Sequence, residues 1–252
     1  MLIDTHCHLF YDEINNDINN ILERADNSGV DKFICVATNL EDAQKCIDLS
    51  EKFNRIWPTA GIHPHDAKNA PHDFEKKLKI LLRHKKIVAL GEIGLDYFRG
   101  ERDKKIQKDV FRKQLEIAKE LNLPIVFHNR ESDKDILSIL SEFPSINGVA
   151  HCFSSTIETA QELIDMGFYI SFSGNLTFKN SHLPDVASQL PLSNLLVETD
   201  SPYLSPVPYR GKPNEPSRVR YVAEKLAEIH QVSIKEVAKK TSKNAEKLFK
   251  FN

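Results

Sequence analysis

The chain has 252 residues, 40% of them hydrophobic and 28% charged, which is ordinary globular material. Its formal net charge of −2 excludes a global basic field for nucleic acid, so a polyanion would be met by a local patch or by metal. No apolar run is long enough to span a bilayer, no low-complexity tract or Gly/Ser linker appears, and Asp4 interrupts any signal-like start. The scattered cysteines Cys7, Cys35, Cys46 and Cys152 form no C-x-x-C pair, so reduced thiols in a cytoplasmic protein are expected.

Taken in order, the chain alternates strand with helix. A first strand over 2–6 leads to an amphipathic helix with Ile14, Ile18, Ile21, Leu22 and Ala25 on one face, stopping near Gly29. A second strand covers 32–37, and Thr38 with Glu41 reads as a capping box opening a helix through Ala43, Ile47 and Phe53. Strand three covers 56–61, and a helix through Phe74, Leu78, Leu81 and Leu82 precedes strand four over 87–91. A longer helix through Ile106, Phe111 and Leu121 precedes strand five over 124–128, and a helix around Ile136 and Leu140 follows it. Strand six covers 148–151, Thr156 caps a helix ending at Gly167, and strand seven covers 168–172. A short helix over 183–190 leads to strand eight over 195–200, and helices over 216–230, 233–241 and 243–249 finish the chain. Eight such units in this length predict one (β/α)8 TIM barrel, a single domain over 1–252 with extra C-terminal helices.

Strand one ends on His6-Cys7-His8. Strand alternation turns both imidazoles to one face, half of a metal site, while Cys7 points towards the helix layer and packs. Alone the pair is weak: ten histidines in a chain of this length yield about 0.4 His-x-His pairs by chance. Other donors, however, fall at matching places. Glu92 ends strand four, His128 strand five, His151 strand six and Asp200 strand eight, the barrel end where polar residues read as catalytic. Val88, Leu90 and Glu92 are expected to alternate inward, as are Val126 with His128, Val149 with His151, and Leu196, Glu198 with Asp200. His128 and His151 are 23 residues apart, one βα unit; His151 and Asp200 are 49 apart, two units.

Asp4-Thr-His-Cys-His8, Gly61-Ile-His-Pro-His65, Gly91-Glu-Ile-Gly-Leu-Asp-Tyr97, His151-Cys-Phe-Ser154 and Glu198-Thr-Asp-Ser-Pro-Tyr-Leu204 together resemble the TatD family of metal-dependent hydrolases, within the amidohydrolase superfamily. The resemblance continues through Arg210-Gly-Lys-Pro-Asn-Glu-Pro216 and Thr241-Ser-Lys-Asn-Ala-Glu-Lys-Leu-Phe249. It implies a barrel with two divalent ions and deoxyribonuclease activity, often 3′-5′ exonucleolytic. Ser155, and Asn129 to Ser132, depart from the commoner family pattern without touching an expected ligand.

Two ions need a shared donor, and Glu92 is the carboxylate placed to bridge them. His6, His8 and Asp200 would complete one ion, and His128 and His151 the other. Such a pair can share a water, lower its pKa and clamp a phosphoryl group. Imidazole-rich ligation points to Zn, with Mn or Mg open to the carboxylates. Asp200 is also a candidate acceptor for the proton of the attacking water. His63 is a candidate phosphate donor or proton carrier, His65 stands between site rim and loop, and Arg130 is a candidate phosphate clamp. Asp4 and Glu198 read as supports behind the ligands.

The proline-rich loop over 201–216 follows strand eight and should overhang the site. On it Tyr203 and Tyr209 are placed to stack bases, and Arg210 and Lys212 to meet phosphates. The expected substrate is therefore DNA, as single strands or ends, with no membrane and no obligate protein partner. The alternatives are a small amide, lactone or phosphoester in the same dinuclear site, or a non-catalytic metal-binding barrel. Ligands in this number fit the last poorly, because structural sites close with fewer per ion.

Overall fold

Residues 1–98 and 103–251 are described by the computed structural model. Eight strands pair in sequence order: β1 (Leu2–Cys7), β2 (Val30–Cys35), β3 (Ile56–Ala60), β4 (Ala89–Asp96), β5 (Ile125–Arg130), β6 (Gly148–Ala150), β7 (Phe168–Phe172) and β8 (Leu195–Val197). Every pairing is parallel. The seam between β8 and β1 has no regular ladder. There the Asp200 N–H donates to His6 O and the His8 N–H to Ser201 O, both at 2.8 Å, beside a parallel bridge between Cys7 and Ser201. The eight strands thus form the nearly closed TIM barrel that the alternation predicts.

The helices are α1 (Asp12–Asn15), α2 (Ile18–Asn27), α3 (Leu40–Lys52), α4 (Phe74–Leu81), α5 (Lys104–Leu121), α6 (Asp133–Ser141), α7 (Ile157–Asp165), α8 (Leu183–Ser188), α9 (Val219–His230) and α10 (Ile234–Phe249). Their apolar faces pack on the outward strand residues, among them Phe33, Leu90 and Phe127. The barrel interior is filled by Ile3, Ile34, Val36, Val88, Val126, Val149 and Leu196, plugged from below by Ala245, Leu248 and Phe249 of α10. Each such side chain contributes roughly 1.5–3 kcal/mol of transfer free energy. With the lower end filled by hydrocarbon, polar side chains are left to the strands' C-terminal ends.

Several local expectations change. Asn39, not Thr38, caps α3: its side chain accepts from the Asp42 N–H at 3.0 Å, while the Thr38 hydroxyl donates to the Asp42 carboxylate at 2.7 Å. The first helical stretch is split into α1 and α2, and the residues expected to form two final helices make one continuous α10. β6 and β8 stop before His151 and Asp200, whereas β4 continues five residues beyond the predicted end at 91. Leu90 does not face inward. A register shift between Gly91 and Ile93 breaks the alternation, so Leu90 joins the helix-facing core while Glu92 reaches the barrel interior.

One position near the site where glycine is required is in β4. Gly94 has φ +128°, and a Cβ there would stand 2.1 Å from the His128 carbonyl oxygen. Its bare backbone lets β4 lie against β5 at the position of a candidate ligand.

Candidate metal centre

β1 delivers His6 and the position just past it His8, β4 delivers Glu92, β5 delivers His128, and the turns after β6 and β8 deliver His151 and Asp200. Glu92 stands at the middle. Its Oε1 lies 2.8 Å from His151 Nε2 and 3.3 Å from His128 Nδ1, and its Oε2 lies 3.5 Å from His6 Nε2. Asp200 Oδ1 is 3.4 Å from His8 Nε2 and 3.7 Å from His6 Nε2. Donor atoms of His6, His8 and Glu92 come close enough together to hold one ion, as do those of His6, His151 and Asp200, and those of His63, Glu92 and His128.

Hydrogen bonds behind the rings select which nitrogen faces the centre. His8 Nδ1 lies 2.8 Å from the Val36 carbonyl, so its proton sits there and Nε2 presents a lone pair to the Asp200 side. His151 Nδ1 is 3.2 Å from Glu198 Oε1, which also accepts from the Cys152 N–H at 2.7 Å. His128 Nε2 is 3.1 Å from Asp96 Oδ2, turning Nδ1 inward. His6 stacks on His151 with centroids 3.9 Å apart, and both its ring nitrogens are buried without a hydrogen-bond partner. A buried imidazole with no partner is costly in a protein alone and natural beside a cation. The donor set therefore fits divalent metal.

His63 differs from these four. Its Nδ1 accepts from the His65 N–H at 3.2 Å, so in the neutral ring the proton belongs to Nε2, which lies 3.3 Å from Glu92 Oε1. The ring thus offers a proton rather than a lone pair to the centre, a donor's role rather than a ligand's.

Electrostatics follow from this crowding. Burial opposes charge on Glu92, yet His151, His63 and His128 outweigh it and hold the carboxyl well below its ordinary range. Burial likewise opposes a proton on His151, but Glu92 and Glu198 raise its pKa well above the usual histidine value. His6, without a hydrogen-bonded carbonyl or carboxylate behind it, is lowered chiefly by burial and then by His151. Asp4 is pushed up to about 8, again by burial, although the Thr199 hydroxyl and N–H donate to it at 2.6 and 2.9 Å. Those bonds tie β1 to the segment that carries Asp200.

Sequence reasoning missed Asp96. It is buried, and its Oδ2 contacts both His128 Nε2 and, at 3.0 Å, His65 Nε2. The signal was available in parity: Asp96 follows Glu92 by four residues on one strand. His65 is thereby placed at the site's edge. Arg130 sits over the Phe98 ring at 3.9 Å, and Tyr203 stands beside His8 and Tyr11 with centroids 6.2 and 6.1 Å away. Other residues of the overhanging loop have contacts of their own. The Tyr209 hydroxyl pairs with that of Tyr221 at 3.0 Å, and Arg210 covers Phe178 at 3.7 Å. Lys212 is exposed, with its backbone N–H bonded to Tyr209 O at 3.1 Å.

A barrel with histidines and carboxylates gathered at its C-terminal mouth is the arrangement of a metal-dependent hydrolase. The chain belongs to the TatD-related DNase family, whose model matches residues 3–250. It is 41% identical to the metal-dependent hydrolase YabD of Bacillus subtilis (strain 168), over 100% of both chains. To the metal-dependent hydrolase YcfH of Escherichia coli (strain K12) it is 42% identical, covering 98% of this chain and 95% of the other. Among solved structures, the TatD homologue YjjV of Escherichia coli K12 superposes with TM-score 0.95 at 30% identity, covering 100% of this chain and 98% of that one. More distant structural neighbours are amidohydrolases that share the barrel.

Proposed function

We propose that this protein is a divalent-metal-dependent deoxyribonuclease that removes nucleotides from single-stranded ends in the 3′-5′ direction. One observation carries the reading: the two Glu92 oxygens face different histidine sets, Oε2 towards His6 and Oε1 towards His151 and His128. Glu92 would then be shared by two ions, with His6, His8 and Asp200 completing one and His128 and His151 the other. Zn suits the imidazole-rich set best, and Mn or Mg remain compatible with the carboxylates. Ions bound there supply Lewis acidity, bringing the pKa of water towards neutrality and neutralising phosphoryl charge.

The protein's own residues would do the rest. Asp200 accepts the proton of the attacking water. His63 Nε2–H donates to a phosphate oxygen or passes a proton on. Arg130 meets a neighbouring phosphate, and Tyr203 stacks a base at the mouth; Tyr209, Arg210 and Lys212 extend this rim along the loop. A recessed centre below a ring of loops admits a flexible end more readily than the middle of a stiff duplex. The negative net charge gives little counterion-release affinity for long duplex, which favours ends and short strands.

The test compares an end-labelled linear single strand with a covalently closed circle, using metal-reconstituted protein. Stepwise shortening of the linear strand with an intact circle is expected. Rapid cutting of the circle would replace the exonuclease reading with an endonuclease. Inertness towards both, with turnover of small esters, would transfer the site to a small-molecule substrate.

A further inference from the structure

Of the large hydrophobic side chains exposed among the described residues, the two aromatic ones are Phe98 at 56% and Tyr203 at 53%. Both lie at the mouth. Phe98 follows β4, two residues past Asp96, which touches His128 and His65. Tyr203 follows β8, three residues past Asp200, and its ring stands beside His8. In a ring of strands ordered β1 to β8, β4 and β8 are opposite each other. The exposed rings therefore flank the centre from two sides.

Neither residue is loosely held. The Arg130 guanidinium lies on Phe98 at 3.9 Å, and Arg130 is the register partner of Asp96 on the neighbouring strand. Arg130 is half-buried, among the described residues it has no carboxylate partner, and one face of its guanidinium lies on the ring. On the other side the Tyr203 N–H is bonded to Asp200 O at 2.8 Å, and the Tyr203 carbonyl accepts from Asn214 Nδ2 at 2.7 Å. A flat exposed ring beside a cation suits a nucleobase with its phosphate.

We propose that Phe98, backed by Arg130, and Tyr203 are two base-stacking platforms on opposite sides of the centre. The site then grips one nucleotide on each side of the phosphodiester that is cut. This rests on the nuclease reading and sharpens it: the smallest efficient substrate is a dinucleotide, and both of its bases contribute.

The test uses the metal-loaded protein, the dinucleotide TpT, and two analogues in which the 5′ or the 3′ base is replaced by an abasic sugar. Phe98→Ala and Tyr203→Ala should each lower kcat/KM on TpT by about 5- to 150-fold, mainly through KM, the range expected for one stacked base. Each substitution should lose its effect on one analogue only, and on a different analogue for each. Phe98→Tyr should restore the wild-type value. Bound metal, measured by elemental analysis, should stay at the wild-type level in all three variants, which separates loss of stacking from loss of the centre. Equal kcat/KM for Phe98→Ala and wild type on TpT would overturn the platform while leaving the nuclease intact. The same holds if both substitutions respond to the same missing base. A wild-type protein that hydrolyses small esters but none of the three compounds would overturn the nuclease reading, and the platforms with it.

Discussion

Asp96 Oδ2 lies 3.1 Å from His128 Nε2, and this contact turns His128 Nδ1 towards Glu92. A carboxylate behind a ligating imidazole fixes its tautomer and raises its basicity. Asp96→Ala should therefore weaken metal binding by about 10- to 100-fold, the usual cost of losing such a support. Asp96→Asn should lie between, since its amide oxygen still accepts. Metal titration by calorimetry checks both, and unchanged affinity in the alanine variant would remove Asp96 from the centre.

Glu92→Ala removes the carboxylate whose two oxygens face different histidine sets. Loss of turnover and of bound metal is expected, with Glu92→Gln recovering neither in full. Elemental analysis after dialysis is the measurement. An active variant that keeps the wild-type metal content would sink the bridging assignment.

The pH dependence has a definite sign. In the metal-free protein His151 holds its proton to higher pH than an ordinary histidine, despite burial, because of Glu92 and Glu198. A histidine with a raised folded pKa stabilises the metal-free fold fully below its unfolded value, and that contribution is lost as pH rises through the folded one. Metal needs the neutral ring, so loading at neutral pH should release protons, and metal affinity should climb with pH before levelling off. Activity in limiting metal should fall on acidification. An indicator-dye titration showing no proton release at neutral pH would contradict this.

Arg24 and Glu215 join α2 to the loop before α9. The guanidinium donates to both carboxylate oxygens, with Nη2 to Oε2 at 2.8 Å. Burial raises the Glu215 pKa, but Arg24 outweighs it and holds it below the usual value. Its contribution is thus present above the unfolded carboxylate pKa and lost as pH falls through the lower folded one. Arg24 is largely exposed, so Arg24→Ala should cost no more than about 1 kcal/mol at neutral pH. Urea unfolding at pH 7 and at about pH 3 should show the difference shrinking in acid. An equal cost at both would assign the effect to packing.

The order of the strands was legible from the sequence alone, and so were the positions of His6, His8, Glu92, His128, His151 and Asp200. Both follow from local periodicity: apolar runs of strand length, helical stripes between them, and polar residues where each run stops. The continuity of α10 was not legible, because Thr241 and Ser242 interrupt its helical stripe while burial of Ala245, Leu248 and Phe249 under the barrel holds it together. Nor was the reversal of Leu90, which depends on a register shift between β4 and β5 rather than on either strand's own pattern. The tautomers were set entirely by tertiary contacts. His8 is oriented by Val36, His128 by Asp96, and His151 by Glu198, partners 28 to 47 residues away. Periodicity determines which residues reach the barrel mouth, because it acts over a few residues of backbone. Only the closed ring decides which nitrogen of each imidazole faces the centre, because a proton's position depends on the acceptor that folding brings behind it.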